Sequence, residues 1–368
     1  KGYYTTGNHN FSFGYEREAL DVFNMFVQHV ETEIDFDANS GATLPGVFDP
    51  AIENFRLGLA DNVNYNNSPT GDPNNAAADW GYEINTLYGQ DEIDFGNGVV
   101  VIAGLRYDWY TTDDAPETNP DFLADYGFTN GQTLDGEGLL QPRLGFEWDF
   151  SDNLDLRGGV GLYSGGNPNV WLSNTYSANN VLQFGAAGGA FGLEDGVTSL
   201  FDIDYGLCED GVPTGPGYCV PQSMIDAVAA GEGSNFEINY LDPNFEIPND
   251  LKASLRVDQE FDMDFGAFTL GSGYLFSAQV LYTEAQKSFL WREAAQTNEQ
   301  PYAQTGVAPD GRTIYADLNN LGVSNRTILT NGSGAESLVY TVSLQNDFDN
   351  GFGFFASYAH QDVEMISE

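Results

Sequence analysis

The sequence predicts an all-β fold: a transmembrane antiparallel up-and-down β-barrel with short turns at one end and long loops at the other. Three observations point there. Apolar and polar residues alternate with a period of two along most extended runs, which puts the large side chains of each run on one face. The joints between runs alternate between tight turns and long stretches rich in Asn, Asp, Gly and Pro. No run of about 18 apolar residues occurs, which excludes a membrane helix on length, whereas a spanning strand needs only about 9 to 11 alternating residues.

In chain order, roughly nine strand-like runs lie near residues 9–22, 79–95, 98–111, 139–150, 154–165, 251–263, 268–290, 336–348 and 352–361. The hairpin LGFEWDFSDNLDLRGGVGLYSG, residues 144–165, shows the pattern on both sides of its SDN turn. Leu144, Phe146, Trp148 and Phe150 alternate with Gly145, Glu147 and Asp149; Leu154, Leu156, Val160 and Leu162 alternate with Asp155, Arg157, Gly159 and Gly161. In VVVIAGLRYDWY, Val101, Ala103, Leu105, Tyr107 and Trp109 oppose Gly104, Arg106 and Asp108. LKASLRVDQEF separates Leu251, Ala253, Leu255, Val257 and Phe261 from Lys252, Ser254, Arg256, Asp258 and Glu260. The cations Arg106, Arg143, Arg157, Lys252 and Arg256 therefore all fall on the polar face. A Lys or Arg facing lipid at mid-depth costs about 2 to 4 kcal/mol, so a lipid-facing apolar side demands this sorting. FSFGYEREALDVF breaks the rule, because Arg17 takes the parity of Phe11, Phe13 and Tyr15 while Leu20 and Val22 switch. A bulge or an exit from the membrane near Glu16 would explain it.

A soluble two-layer sheet would sort its faces in the same way. The connections decide between the two. FGNG near 95, SDN at 151, DFGA near 264 and FDNG near 348 are tight turns, whereas residues 31–78, 112–138, 166–250 and 291–335 lack sustained periodicity. Connections of that length count against a compact soluble domain. They match a barrel of the outer-membrane type, with short periplasmic turns and long extracellular loops. Trp109, Tyr110 and Trp148 are then candidates for an interfacial aromatic girdle.

Composition narrows the function. The 368 residues carry 12 Lys+Arg against 55 Asp+Glu, a formal charge of -43, which excludes nucleic acid as a partner because phosphate binding needs clustered cations. Aromatic content of 14% and 43 glycines separate the chain from a disordered acidic tail. The opening KGYYTTGNHN holds no signal peptide and reads as an ordinary strand-and-turn stretch, so a truncated start is expected. Cys208 and Cys219, in the Gly/Pro-rich CEDGVPTGPGYC, are expected to form a loop disulfide, with two free thiols as the alternative; a disulfide belongs outside the cytoplasm. No metal site is expected, since His9, His29 and His360 have no paired spacing. Asp113, Asp114, Glu117, Asp121, Asp125, Asp135 and Glu137 fill 112–138 without a single cation. Such a run makes a solvated, self-repelling surface or, more sharply, collects Ca²⁺ or a cationic ligand by oxygen coordination. DIDYG at 202–206 is too short for a calcium loop. No enzyme is expected: GGVGLYSG has no helix after it, and neither a GxSxG elbow nor an HExxH pair occurs.

GNHNFSFGYEREALDVFNMFV, YGQDEIDF with VIAGLRYDWY, QPRLGFEWDF, LRGGVGLYSGGNPNVWLSNTYS, LDPNFEIPNDLKASLRVDQEF and SLQNDFDNGFGFFASYAH follow one another over most of the chain. Together they resemble the barrel of a TonB-dependent receptor, most of all the Oar-like group. The resemblance implies part of a large barrel of 22 strands in the bacterial outer membrane, occluded by an N-terminal plug. It also implies import of an external ligand with energy delivered by the TonB complex. Plug and TonB box have no counterpart here, nor does a terminal strand ending in an aromatic residue, since the chain stops at EMISE. Nine is an odd count, and an unclosed wall leaves strand edges unsatisfied in lipid, so these residues are expected to belong to a longer polypeptide. Arg106, Arg143, Arg157 and Arg256 become candidates for gripping the plug or an anionic ligand. The plainer alternative pairs them with Glu147, Asp149, Asp155 and Asp258 in the wall. A surface adhesion or scaffold role and a passive porin stay open beside active transport.

Overall fold

A computed structural model describes residues 1–36, 50–188, 199–206, 208–209, 212–213, 219–232, 237–264, 266, 269–293, 304–315, 326–348 and 351–365. Among them, ten wall strands follow one another as a meander: β1 (Gly2–Thr6), β2 (His9–Asn24), β3 (Ala78–Gly96), β4 (Val99–Thr111), β5 (Gly138–Ser151), β6 (Leu154–Ser164), β7 (Asn249–Asp264), β8 (Thr269–Glu293), β9 (Glu336–Asp347) and β10 (Gly353–Glu364). Each is antiparallel to the next. This is the up-and-down order expected from the alternating connections. β1 pairs only with β2 and β10 only with β9, so the described wall does not close on itself.

β1 is one strand more than the periodicity reveals. Its five residues are too few to show alternation, and the adjacent Tyr3 and Tyr4 hide the period. Its pairing with β2 runs from Gly2↔Phe13 to Thr6↔His9 across the two-residue turn Gly7–Asn8. β8 overshoots its neighbours. Leu275–Glu284 pairs with β9, whereas Ser288–Glu293 pairs with a strand at Arg326–Gly332, which in turn lies parallel to Ile238–Leu241.

The turns at Gly7–Asn8, Asn97–Gly98 and Asp152–Asn153 close hairpins at one end. Parts of the DFGA and FDNG turns, 265, 267–268 and 349–350, lie outside the described residues. At the other end the described parts of the long connections are folded, contrary to their aperiodic sequence. They carry α1 (Pro50–Leu57), α2 (Pro120–Tyr126), α3 (Asn169–Ser177), α4 (Gln222–Ala229) and several short strands. Three apolar clusters hold them. Wall residues Trp80, Tyr82, Tyr110 and Leu139 pack with Leu172, Tyr176 and Phe245; Tyr65, Leu200, Val220 and Met224 form a second cluster; Phe122, Ile238, Tyr240 and Ile328 a third. Each fully buried large side chain contributes about 1.5 to 3 kcal/mol. The buried core thus lies in a roof over one end of the wall.

The register fixes facing, because directly opposed residues of an antiparallel pair share a face. Leu105 stands beside Gly89 and Pro142, and Arg106 beside Tyr88 and Gln141. Nearer the turns, the first face is apolar and open: Leu105, Leu144, Phe146, Val160, Leu255 and Val342 are all exposed. Arg106, Arg143, Arg157, Lys252 and Arg256 lie on the other face. Nearer the roof the polarity reverses. Leu20, Val22, Trp80 and Tyr82 turn inward under the roof, while Arg17 and Glu83 pair on the open face. β2 carries this reversal without a register shift from His9 to Asn24, so there is no bulge, and the chain leaves the apolar layer just past Tyr15. One ionisable pair interrupts the open apolar face near the turns, His9 Nδ1 to Asp91 Oδ2 at 2.7 Å.

Candidate functional site

The inner face is polar because β3 to β7 place small and charged residues at alternate positions, and the turns and register align these into rows. Row by row, Arg106 opposes Gln141, Arg143 opposes Gly161, and Gly161 opposes Lys252. Arg157 lies between Glu147 and Arg256. Just under the roof these rows bound a concavity of about 570 Å³, lined by Glu16, Glu18, Arg106, Asp108, Arg143 and Tyr163 among others.

Its floor is a hydrogen-bond network centred on Asp108, which is only 6% exposed. Thr86 Oγ1 donates to Asp108 Oδ1 at 2.7 Å and Gln141 Nε2 to Oδ2 at 2.6 Å. Arg106 Nε lies 2.9 Å from Asp108 Oδ1, while its Nη2 donates to Thr86 Oγ1 at 3.0 Å. Glu16 approaches Arg106 Nη1 at 3.6 Å. A buried carboxylate with this many donors holds the neighbouring guanidinium in place.

The four arginines divide in two. Arg106 is neutralised by Asp108, and Arg256 by Asp258, with Nε to Oδ2 at 2.7 Å and Nη2 to Oδ1 at 2.8 Å. Both pairs have the spacing Arg-x-Asp on one strand. Asp258 was an expected wall partner; Asp108, which shares the parity of Arg106, was not singled out for that role. Arg143 makes no ion pair among the described residues: its Nη2 donates to Gln141 Oε1 at 3.3 Å and its guanidinium lies over the Tyr163 ring at 4.5 Å. Arg157 is exposed and makes neither hydrogen bond nor ion pair among the described residues, and Glu147, Asp149 and Asp155 pair with none of the four. The concavity brings Arg106 and Arg143 together; Arg157 and Arg256 lie nearer the turns. Sequence reasoning missed Thr86, Gln141 and Tyr163, although their parity with the arginines was the available signal.

The three aromatic candidates also separate. Trp109 stays on the open face at the roof end, 5.7 Å from the Tyr107 ring, and Trp148 on the same face at the turn end, 4.9 Å from Phe150. Tyr110 does not join an outer girdle. It is 3% exposed on the inner face, where its hydroxyl donates to Asn167 Oδ1 at 2.5 Å. Parity is the reason: it follows Trp109 and so points the opposite way.

In the roof, Cys219 is disulfide-bonded; the side chain of Cys208, its expected partner, lies outside the described residues. Asp114 and Asp135 accept backbone N–H groups of Gly81 and Thr112 at 2.7 and 3.1 Å. The side chain of Asp125 lies outside the described residues. Among the described residues no three His, Cys, Asp or Glu side chains converge as a bound cation requires.

The family model described as outer membrane beta barrel domain matches residues 3–361. The chain belongs to this family. The domain is accordingly a β-barrel protein of the bacterial outer membrane, and its open apolar face is the lipid face. No curated protein matches it in sequence. Solved structures similar to this outer membrane barrel domain include the outer membrane transporter YddB from Escherichia coli, with 13% identity, TM-score 0.45, and coverage of 98% of this chain and 32% of that one. The siderophore receptor PirA from Pseudomonas aeruginosa aligns at 11% identity and TM-score 0.38 over 96% of this chain and 43% of its own. The FrpB iron transporter from Neisseria meningitidis, F3-3 variant, aligns at 8% identity and TM-score 0.38 over 97% and 33%. The barrel domain therefore spans about a third to two fifths of the length of these structures.

Proposed function

We propose that this domain is part of the wall of a TonB-dependent receptor of the Oar-like kind, which takes up an external ligand through a plugged barrel. The observation that carries the proposal is the charged concavity on the inner face directly beneath a folded roof. A wall serving only as an anchor has no need of it. On this proposal the roof is extracellular and meets the ligand, the inner polar face lines the route inward, and a plug and TonB-contacting segment elsewhere in the protein supply closure and energy.

The test uses cells expressing the full-length protein and a matched deletion strain, grown in complex medium. Depletion of specific compounds from the medium is compared with the proton gradient intact and collapsed. Uptake predicts compounds lost only in energised expressing cells. Depletion that survives collapse of the gradient indicates a passive pore, and no difference between strains indicates adhesion or scaffolding; either result overturns the proposal.

A further inference from the structure

We propose that the concavity beneath the roof binds a short zwitterionic ligand, of the size and end-group chemistry of a free tripeptide. The proposal deepens the uptake proposal by naming the class of its cargo.

Five charged side chains line the concavity from the inner face: Glu16, Glu18, Arg106, Asp108 and Arg143. Three are engaged with one another. Arg106 lies between Asp108 at 2.9 Å and Glu16 at 3.6 Å. The two left over have opposite signs and stand at opposite sides. Glu18, on β2, is exposed and has no hydrogen bond or ion pair among the described residues. Arg143, on β5, has no carboxylate within reach among them.

The cationic side is built in detail. Gly161 stands between Arg143 and Lys252 in the cross-strand row, and the Tyr163 ring lies down over it. A Cβ at 161 would lie 3.0 Å from that ring and 3.1 Å from Arg143 Cγ, so a larger residue there would have to push the ring or the arginine aside by a few tenths of an ångström. Arg143 and Lys252 sit 4.5 and 5.8 Å from the same ring centre, and the nearest carboxylate to Lys252 is Asp250 at 3.6 Å. A planar guanidinium fork with a second ammonium beside it suits one carboxylate.

Spacing selects the ligand. β2 and β5 are three strand intervals apart, about 14 Å at roughly 4.8 Å each, and Glu18 lies six residues along the strands from the row Ser12, Gln90, Gly104 and Arg143, about 20 Å at roughly 3.4 Å each, so the two backbone positions stand about 24 Å apart. An extended tripeptide places its ammonium and carboxylate about 10 Å apart, at roughly 3.4 Å per residue. Glu18 and Arg143 extended toward each other, with a hydrogen bond at each end of the ligand, close the difference. A volume of about 570 Å³ is of the order of small-ligand sites, and the neutral Gln141, Ser164 and Asn167 on its lining can meet peptide N–H and C=O groups.

The test is calorimetric titration of the full-length protein in detergent with trialanine, N-acetyltrialanine and trialanine amide. Trialanine is expected to bind, and blocking either end to weaken binding at least tenfold. Glu18→Gln should weaken trialanine tenfold while leaving N-acetyltrialanine unchanged; Arg143→Gln should weaken trialanine while leaving the amide unchanged. Glu18 is exposed and unpartnered, so its variant folds whatever the fate of the other. Equal binding of all three probes, or no binding of trialanine in the millimolar range, overturns the proposal. Binding is read on purified protein, so loss of energised uptake with binding intact would count against transport and not against this site.

Discussion

Asp108 decides how the inner wall holds its charges. Three neighbouring side chains converge on this one nearly buried carboxylate, and Arg106 would otherwise face Glu16 alone across 3.6 Å. Asp108→Leu removes the acceptor and leaves Gln141 and Arg106 without their main partner, so a loss of about 2 to 3 kcal/mol is expected in urea unfolding of the full-length protein. A change within about 0.5 kcal/mol, the range of ordinary surface substitutions, would show that the network does not hold the wall. The pair His9–Asp91 is the opposite case: it sits on the lipid face, and Asp91 Oδ1 is buried without a partner. Apolar replacement of both residues is the change that the surrounding lipid favours.

At the scale of elements, the hairpin turns set where lipid-facing rows begin. Gly98 has φ +75°, and a Cβ there would approach the backbone oxygen of Asp149 at 2.8 Å. Gly98→Ala is therefore expected to cost more than about 1 kcal/mol, whereas Gly89→Ala, in the open part of β3 with nothing nearby, should be nearly neutral in the same unfolding assay. Equal effects would place the strain elsewhere. The strands were legible in the sequence wherever one face met a uniform neighbour, as in Leu144 to Phe150 opposite Gly145 to Asp149. They were illegible where the neighbour changed along the strand: Leu20 and Val22 obey the roof, not the bilayer. α2 was overlooked because its signal is a cap and not a period. Asn119 Oδ1 accepts from the N–H groups of Asp121 and Phe122, Pro120 opens the first turn, and Gly127 closes the last at φ +75°. The disposition of Arg143 and Tyr163 was half visible, since parity put both on one face but only the register reveals the glycine between Arg143 and Lys252.

Across the whole molecule, two solvents shape one sheet. Val342 and Ser343 are neighbours on β9 that face lipid and interior respectively. Val342→Arg should lower stability in bilayers by about 2 to 4 kcal/mol, while Ser343→Arg should lie well below that, as judged by the folded fraction after reconstitution. The reverse order would exchange the two faces of the wall.

The roof joins partners from distant parts of the chain. Trp80 and Tyr82 come from a wall strand, whereas Leu172 and Tyr176 sit on α3 and Phe245 on the approach to β7. That cluster is able to close only when all three segments stand at the same rim, and each side chain it sequesters contributes about 1.5 to 3 kcal/mol. Folding of the cap therefore acts as a clasp: it fastens strands far apart in sequence to one another at a single edge of the cylinder wall.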